Sequence, residues 1–254
     1  MCMLPLYTPL RLDGPDPSTE TVFLGGINAY LQHRFPRMRS GAPRWIDRVL
    51  DSPRLLGLVS RFAMETRPER LGPLTLSVLQ GASGPVHREL EKLCAFLRSQ
   101  GGADVIGITN SLLSGLAPAL KEQFGCRIVC SFQGEETFVQ ELGAPHTERV
   151  REQIARNLES VDAFAVSHRE YAEEAAGFFG ISAERMGVVP PSVDAELYTP
   201  GDAAAAAEER QGVFTIGCLG RPCSGKGLDL LGAAFRELGP PGGRDGVVPV
   251  LEIA

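Results

Sequence analysis

The chain has 254 residues, 43% of them hydrophobic, with 25 basic against 31 acidic side chains and a formal net charge of −6. That apolar content supplies a sizeable core and excludes a disordered chain. The acidic balance argues against a nucleic-acid binder, which would carry a basic surplus on one face, and the length suits one large α/β domain or one domain with part of another.

Leu4 to Leu10 is predicted as a short strand that starts almost at the first residue. A buried first strand usually has more apolar residues ahead of it, so the natural start is expected upstream. Gly25 and Gly26 precede Ile27, Tyr30, Leu31 and Phe35, which have the spacing of one helical face. A helix-rich segment from Trp45 to Phe62, broken by Pro53, follows. Arginines gather between Arg34 and Arg70, but carboxylates and apolar residues are mixed among them, as on a solvated or membrane-facing helical surface. Leu74 to Leu79 alternates as a strand, and Leu90, Leu93, Cys94 and Leu97 mark an amphipathic helix.

From there the alternation is regular. Strands are predicted at Val105–Ile108, Arg127–Phe132, Ala163–Val166 and Met186–Val189. Helices are predicted at Leu112–Phe124, kinked or restarted at Pro118, and at His146–Leu158 and Arg169–Phe179. Short unbroken apolar strands between helices are the mark of a parallel sheet covered on both faces. Residues 1–200 are therefore predicted to be one doubly wound, Rossmann-like α/β domain. Residues 201–212, with five consecutive alanines, read as a linker. A second βα rhythm then begins, with strand Val213–Leu219, helix Lys226–Leu238 and strand Val247–Ile253. One such unit cannot bury a core alone. Residues 213–254 are thus expected to be the cut-short, marginally held start of a second Rossmann-like domain.

Six cysteines in a chain this long do not make a disulfide scaffold. None of Cys126, Cys130, Cys218 and Cys223 has Cys-x2-Cys zinc spacing, and His33, His87, His146 and His168 are scattered. Buried or incidental thiols and no metal site are expected. The start carries no basic n-region of a signal peptide, and no stretch nears the ~18 apolar residues of a membrane span. A cytoplasmic protein is expected, with peripheral contact at the inner face of the membrane left open.

The sharpest local signal is Gly220-Arg221-Pro222-Cys223-Ser224-Gly225-Lys226-Gly227, between a strand and a helix. It nearly spells a Walker A loop but ends on Gly227, which has no hydroxyl for a magnesium ion. A Gly-rich turn at a helix start still offers free N–H groups and the positive end of a dipole. Arg221 and Lys226 add two cations, which suits a diphosphate; the alternative is that the glycines merely shape a turn and Lys226 sits on a solvated helix. The pair Gly25-Gly26 is a second turn where backbone and ligand can approach closely, although taken alone an ordinary tight turn is the better reading of it.

Five segments in order resemble family 4 glycosyltransferases. They are Gly25-Gly26-Ile27 with Tyr30; Asp104 through Gln133-Gly134-Glu135-Glu136; Val161 to Ser167; Val188-Val189-Pro190-Pro191-Ser192-Val193-Asp194 with Tyr198-Thr199-Pro200; and Ile216-Gly217 through Gly220-Arg221 to Lys226-Gly227-Leu228 and Leu231. Arg37 to Gly84 lies outside the generic pattern. The resemblance implies the GT-B architecture, two Rossmann-like lobes facing across a cleft. It also implies transfer of a sugar from a nucleotide-sugar donor to a carbohydrate, lipid or small-molecule acceptor, with retention at the anomeric carbon and without a bound metal. By the same resemblance Arg221 and Lys226 would hold the donor diphosphate, Gly25 and Gly26 would approach the donor phosphate or the sugar, and Gln133 and Glu135 become the candidates for the catalytic site.

Two departures bear on this. Family members commonly carry a histidine where Gln133 stands, and an amide can hydrogen-bond a sugar hydroxyl but cannot be charged. The family's Glu-x7-Glu pair occurs nowhere in the chain and is expected further along the second lobe. The fragment itself is accordingly expected to be inactive or weakly active. The alternatives are a non-catalytic sugar- or lipid-acceptor-binding module, and an NTPase-like phosphate-binding module built on Gly220 to Gly227.

Overall fold

The computed structural model describes Met3, Leu4, Leu6 and residues 71–197, 213–220, 226–237 and 248–253. The helix expected after Gly26, the Arg-rich segment, the rest of the first strand and the alanine-rich linker lie outside the described residues. The chain divides into two compact units, Met1–Pro191 and Ser192–Ala254.

In the first unit helix α1 spans Gly72–Leu79 and α2 His87–Ser99. Strand β1 is Val105–Ile108, followed by a 3-10 helix Ser111–Leu116 and by α3, Ala117–Phe124. Strand β2 is Arg127–Ser131, α4 Glu135–Glu141 and α5 His146–Leu158. Strand β3 is Ala163–Val166, α6 Arg169–Phe179 and β4 Met186–Val188. The strands form one parallel sheet in the order β1-β2-β3-β4, with Ile106 beside Ile128, Cys130 beside Phe164 and Val166 beside Val188. The described fold is thus α/β with a parallel sheet, compatible with a Rossmann-like domain.

One expectation is corrected. Leu74–Leu79 is helical, although its leucines alternate. Pro73 sits in the first turn, where its missing N–H costs nothing, and Ser77 Oγ donates to Pro73 O at 2.8 Å. Packing of α1 along α5 and onto the 3-10 helix then buries Val78 and Leu79, which overrides the two-residue pattern. The winding of the described sheet follows from its strand order. Parallel strands that follow one another across a sheet, joined by right-handed crossovers, put every helix on the same face. Ile108, Ile128, Cys130, Phe164 and Val166 are buried on that face with Leu120, Ile154, Tyr171 and Phe179. The opposite face carries Val105, 57% exposed, exposed Gly107 and half-buried Val129 and Ala165. Among the described residues the sheet is therefore wound once, and the reversal of strand order that double winding needs is not among them.

Pro118 restarts rather than kinks a helix, standing in the first turn of α3 after the 3-10 segment. Helices α3 and α6 end on Gly125 and Gly180, both left-handed. Cys94, Cys126 and Cys130 are buried free thiols, and burial pushes the Cys130 thiol up to about 12. Among the described residues no helix is long and apolar enough to cross a membrane.

Asp162 ties the start of the sheet together. Its Oδ2 accepts from Lys121 Nζ at 2.5 Å and from Ile128 N at 2.8 Å, and its Oδ1 from Arg127 Nη1 at 3.2 Å. The Lys121 contact first, then the Ile128 amide, hold its carboxyl down at about 2. A carboxyl whose folded value lies below the unfolded one of ~3.9 stabilises the fold above that pH. The contribution disappears as pH falls from about 4 to about 2. Solvent screening of this partly exposed group leaves about 1–2 kcal/mol of the shift as stability. Asp162→Asn is expected to lower the unfolding free energy measured in urea by that amount at pH 7 and by almost nothing at pH 2. Equal losses at both pH values would assign the effect to packing instead of charge.

The second unit contains β5, Val213–Cys218, paired in parallel with β6, Val248–Ile253, and helix α7, Leu228–Glu237, between them in sequence. No residue of α7 is buried, and Leu219 and Leu230 are 89% and 72% exposed. The βαβ rhythm read from the sequence is present, and its described apolar side chains are at most half-buried.

Candidate functional site

The parallel sheet dictates where a site can form. The strands all end at one edge, their following loops converge there, and a crevice opens beyond their carboxyl ends. A cavity of about 600 Å³ occupies that edge, lined by Phe132, Gln133 and Gly134 after β2, by Ser167, His168 and Tyr171 after β3, and by Val189 and Pro191 after β4, with Ser131, Ala165 and Val166 at the strand ends. No Lys, Arg, Asp or Glu is among these described lining residues. The walls are mostly apolar, with an amide, two serine hydroxyls and an imidazole set into them, a mix typical of small-molecule sites.

Why the loops hold their shape follows from a chain of hydrogen bonds. Glu135 is 7% exposed. Its Oε1 accepts from Ser111 N at 3.1 Å and its Oε2 from Gln133 N at 2.9 Å, so one carboxylate ties the ends of β1 and β2. Burial pushes its carboxyl up, and the bonds from Gln133 and Ser111 offset part of that rise. Gly134 has φ +89°, a left-handed turn that favours glycine. Its N–H donates to Tyr171 Oη at 2.6 Å, and Tyr171 Oη donates to Glu136 Oε2 at 3.0 Å. This ties the end of β2 to α6, which follows β3. Burial pushes the Tyr171 phenol well above its usual range, so it remains a donor. Phe132 stacks on Phe179 with ring centroids 5.1 Å apart and anchors the loop in the core.

The candidates named from sequence fare differently. Gln133 lines the cavity, exposed, with Nε2 donating to Thr109 O at 2.8 Å, which leaves its carbonyl oxygen available to a ligand. Glu135 does not line the cavity; both of its oxygens are occupied by backbone, and it positions Gln133. Lys226 is exposed and stands just ahead of α7, with Gly227 at φ +66° and Gly227 O accepting from Leu231 N at 2.9 Å. It belongs to the second unit, whereas Gln133 and Glu135 belong to the first. Arg221, Gly25 and Gly26 lie outside the described residues. Sequence reasoning did not single out Tyr171, Glu136 or His168. The spacing of Ser167-His168 at a strand end before a helix was the one signal for the last of these. Among the described residues no group of three or more His, Cys, Asp or Glu is placed to hold a metal.

A scan against protein-family models and a search of curated proteins each gave no match for this chain.

Proposed function

We propose that this chain serves a retaining glycosyltransferase of the GT-B kind, moving a sugar from a nucleotide-sugar donor to an acceptor. The observation that carries the reading is the cavity at the strand ends, where Gln133, Ser131, Ser167 and His168 offer neutral hydrogen-bonding groups between apolar walls. Sugars need that combination: hydroxyls to be bonded individually and C–H faces to be packed. The five ordered segments resembling family 4 glycosyltransferases support it from sequence, and Lys226 at a glycine turn before a helix suits the donor diphosphate. In this reading Lys226 and Arg221 stabilise the charge that builds on the leaving diphosphate. Gln133 orients a sugar hydroxyl, and Glu135 holds Gln133 in place.

Calorimetric titration of the chain with a panel of nucleoside-diphosphate sugars tests the reading. Binding of one member is expected, and Lys226→Ala should weaken it about tenfold, the value of one charge-assisted contact. A chain that binds sugars or lipid-linked sugars but no nucleotide-sugar would be an acceptor-binding module instead. Unchanged donor affinity in Lys226→Ala removes that residue from the site.

A further inference from the structure

We infer that His168 is a ligand-binding residue of the cavity, presenting Nε2–H as a donor to an oxygen of a neutral, hydroxyl-rich ligand. The inference rests on the reading above for the kind of ligand. His168 is the N-cap of α6, with extended backbone at φ −155° and ψ 165°, and its Nδ1 accepts from Tyr171 N at 3.2 Å. That bond needs the Nδ1 lone pair, so the neutral ring carries its proton on Nε2. Nδ1 also lies 3.3 Å from Glu170 Oε2. That contact is an ion pair only when the ring is protonated, and in that form Nε2 also carries a hydrogen. The side chain is 60% exposed and lines the cavity, so the opposite nitrogen is left for a ligand. Tyr171, 5.8 Å away between ring centroids, flanks the imidazole on the same helix turn.

The choice of residue is the second argument. Serine, threonine, aspartate and asparagine are the favoured N-caps, and a serine stands immediately before, at Ser167. A histidine in this position breaks a local rule, and such breaks concentrate at functional sites. What an imidazole adds over a serine cap is a second, outward-facing donor on a rigid ring. With no charged side chain among the described lining residues, that donor suits a sugar hydroxyl or ring oxygen better than an anion.

His168→Ser separates the two roles, because serine keeps the cap and removes the outward donor. The probes are the methyl glycosides of glucose, galactose and mannose, added to the full chain. Nitrogen NMR of the free chain should show a bare Nδ1 and a protonated Nε2, and one probe should move the Nε2 resonance. The serine variant should melt at the wild-type temperature and bind that probe about five- to tenfold more weakly. A ring protonated on Nδ1, no probe that moves it, or unchanged probe affinity in the serine variant would overturn the inference. A probe held by His168 in a chain that binds no nucleotide-sugar leaves the inference standing and removes the transferase reading. Nucleotide-sugar binding by the chain, with unaltered probe affinity in His168→Ser, does the reverse.

Discussion

Gly81→Ala is expected to destabilise the first unit by about 3 kcal/mol, a large part of the ~5–15 kcal/mol that holds a domain together. Two costs combine. Gly81 has φ +52°, where a Cβ is strained by about 1–2 kcal/mol. An added Cβ would also lie 2.0 Å from Gly115 O, a backbone atom that cannot swing aside. Relieving such a contact means moving the 3-10 helix away from α1, at about 1–3 kcal/mol. Gly115→Ala isolates the second cost, since its Cβ would meet Val78 O at 2.5 Å and Leu79 O at 2.7 Å. Gly125→Ala isolates the first, with φ +62° and nothing within 4 Å. Urea unfolding should rank them Gly81, then Gly115, then Gly125 from most to least damaging. A Gly81 variant no worse than the Gly125 variant would show that the two backbones do not meet so closely.

Glu135→Ala should cost about 3 kcal/mol and disorganise the cavity at the same time. The N–H groups of Ser111 and Gln133 would lose a charged acceptor together. Each bond of this kind is worth about 1.5–3 kcal/mol, and a buried orphan N–H costs a similar amount. The gain from no longer burying a carboxylate reduces the sum, which is why the total stays near that of a single strong bond. Glu135→Gln keeps one carbonyl acceptor and sets an NH2 against the other amide, so about half the loss is expected. Ligand affinity should fall in both variants even though Glu135 does not touch the cavity, because Gln133 and Gly134 would no longer be held. Amide exchange at Gln133 and Gly134 provides the check. If exchange there is unchanged while stability falls, the carboxylate supports the fold and not the site.

Much of the first unit was legible in sequence because its strands and helices have different periods. Val105–Ile108, Ala163–Val166, His146–Leu158 and Arg169–Phe179 follow from unbroken apolar runs and from 3.6-residue spacing, and the structure has the same bounds. The left-handed glycines Gly125 and Gly180 cap the ends of α3 and α6. Gly72–Leu79 was misread because its leucines fit a strand, while its burial is set by α5 and the 3-10 helix, far away in sequence.

By itself, then, the sequence determined an α/β chain with parallel strands, a strand-end loop bearing Gln133, and Lys226 at a glycine turn before a helix. Those features are local, written in periodicity and in the residues that turns demand. Only the tertiary structure decided that the described sheet is wound once, since winding depends on which strand lies beside which. It also decided that Glu135 clamps two loops, that Tyr171 links two strand ends, and that His168 shares a cavity with Gln133. Ser111 and Glu135 are 24 residues apart, and Gly134 and Tyr171 37. Hydrogen bonds across such separations have no period in the sequence. They exist because parallel strands carry distant loops to one edge of the sheet.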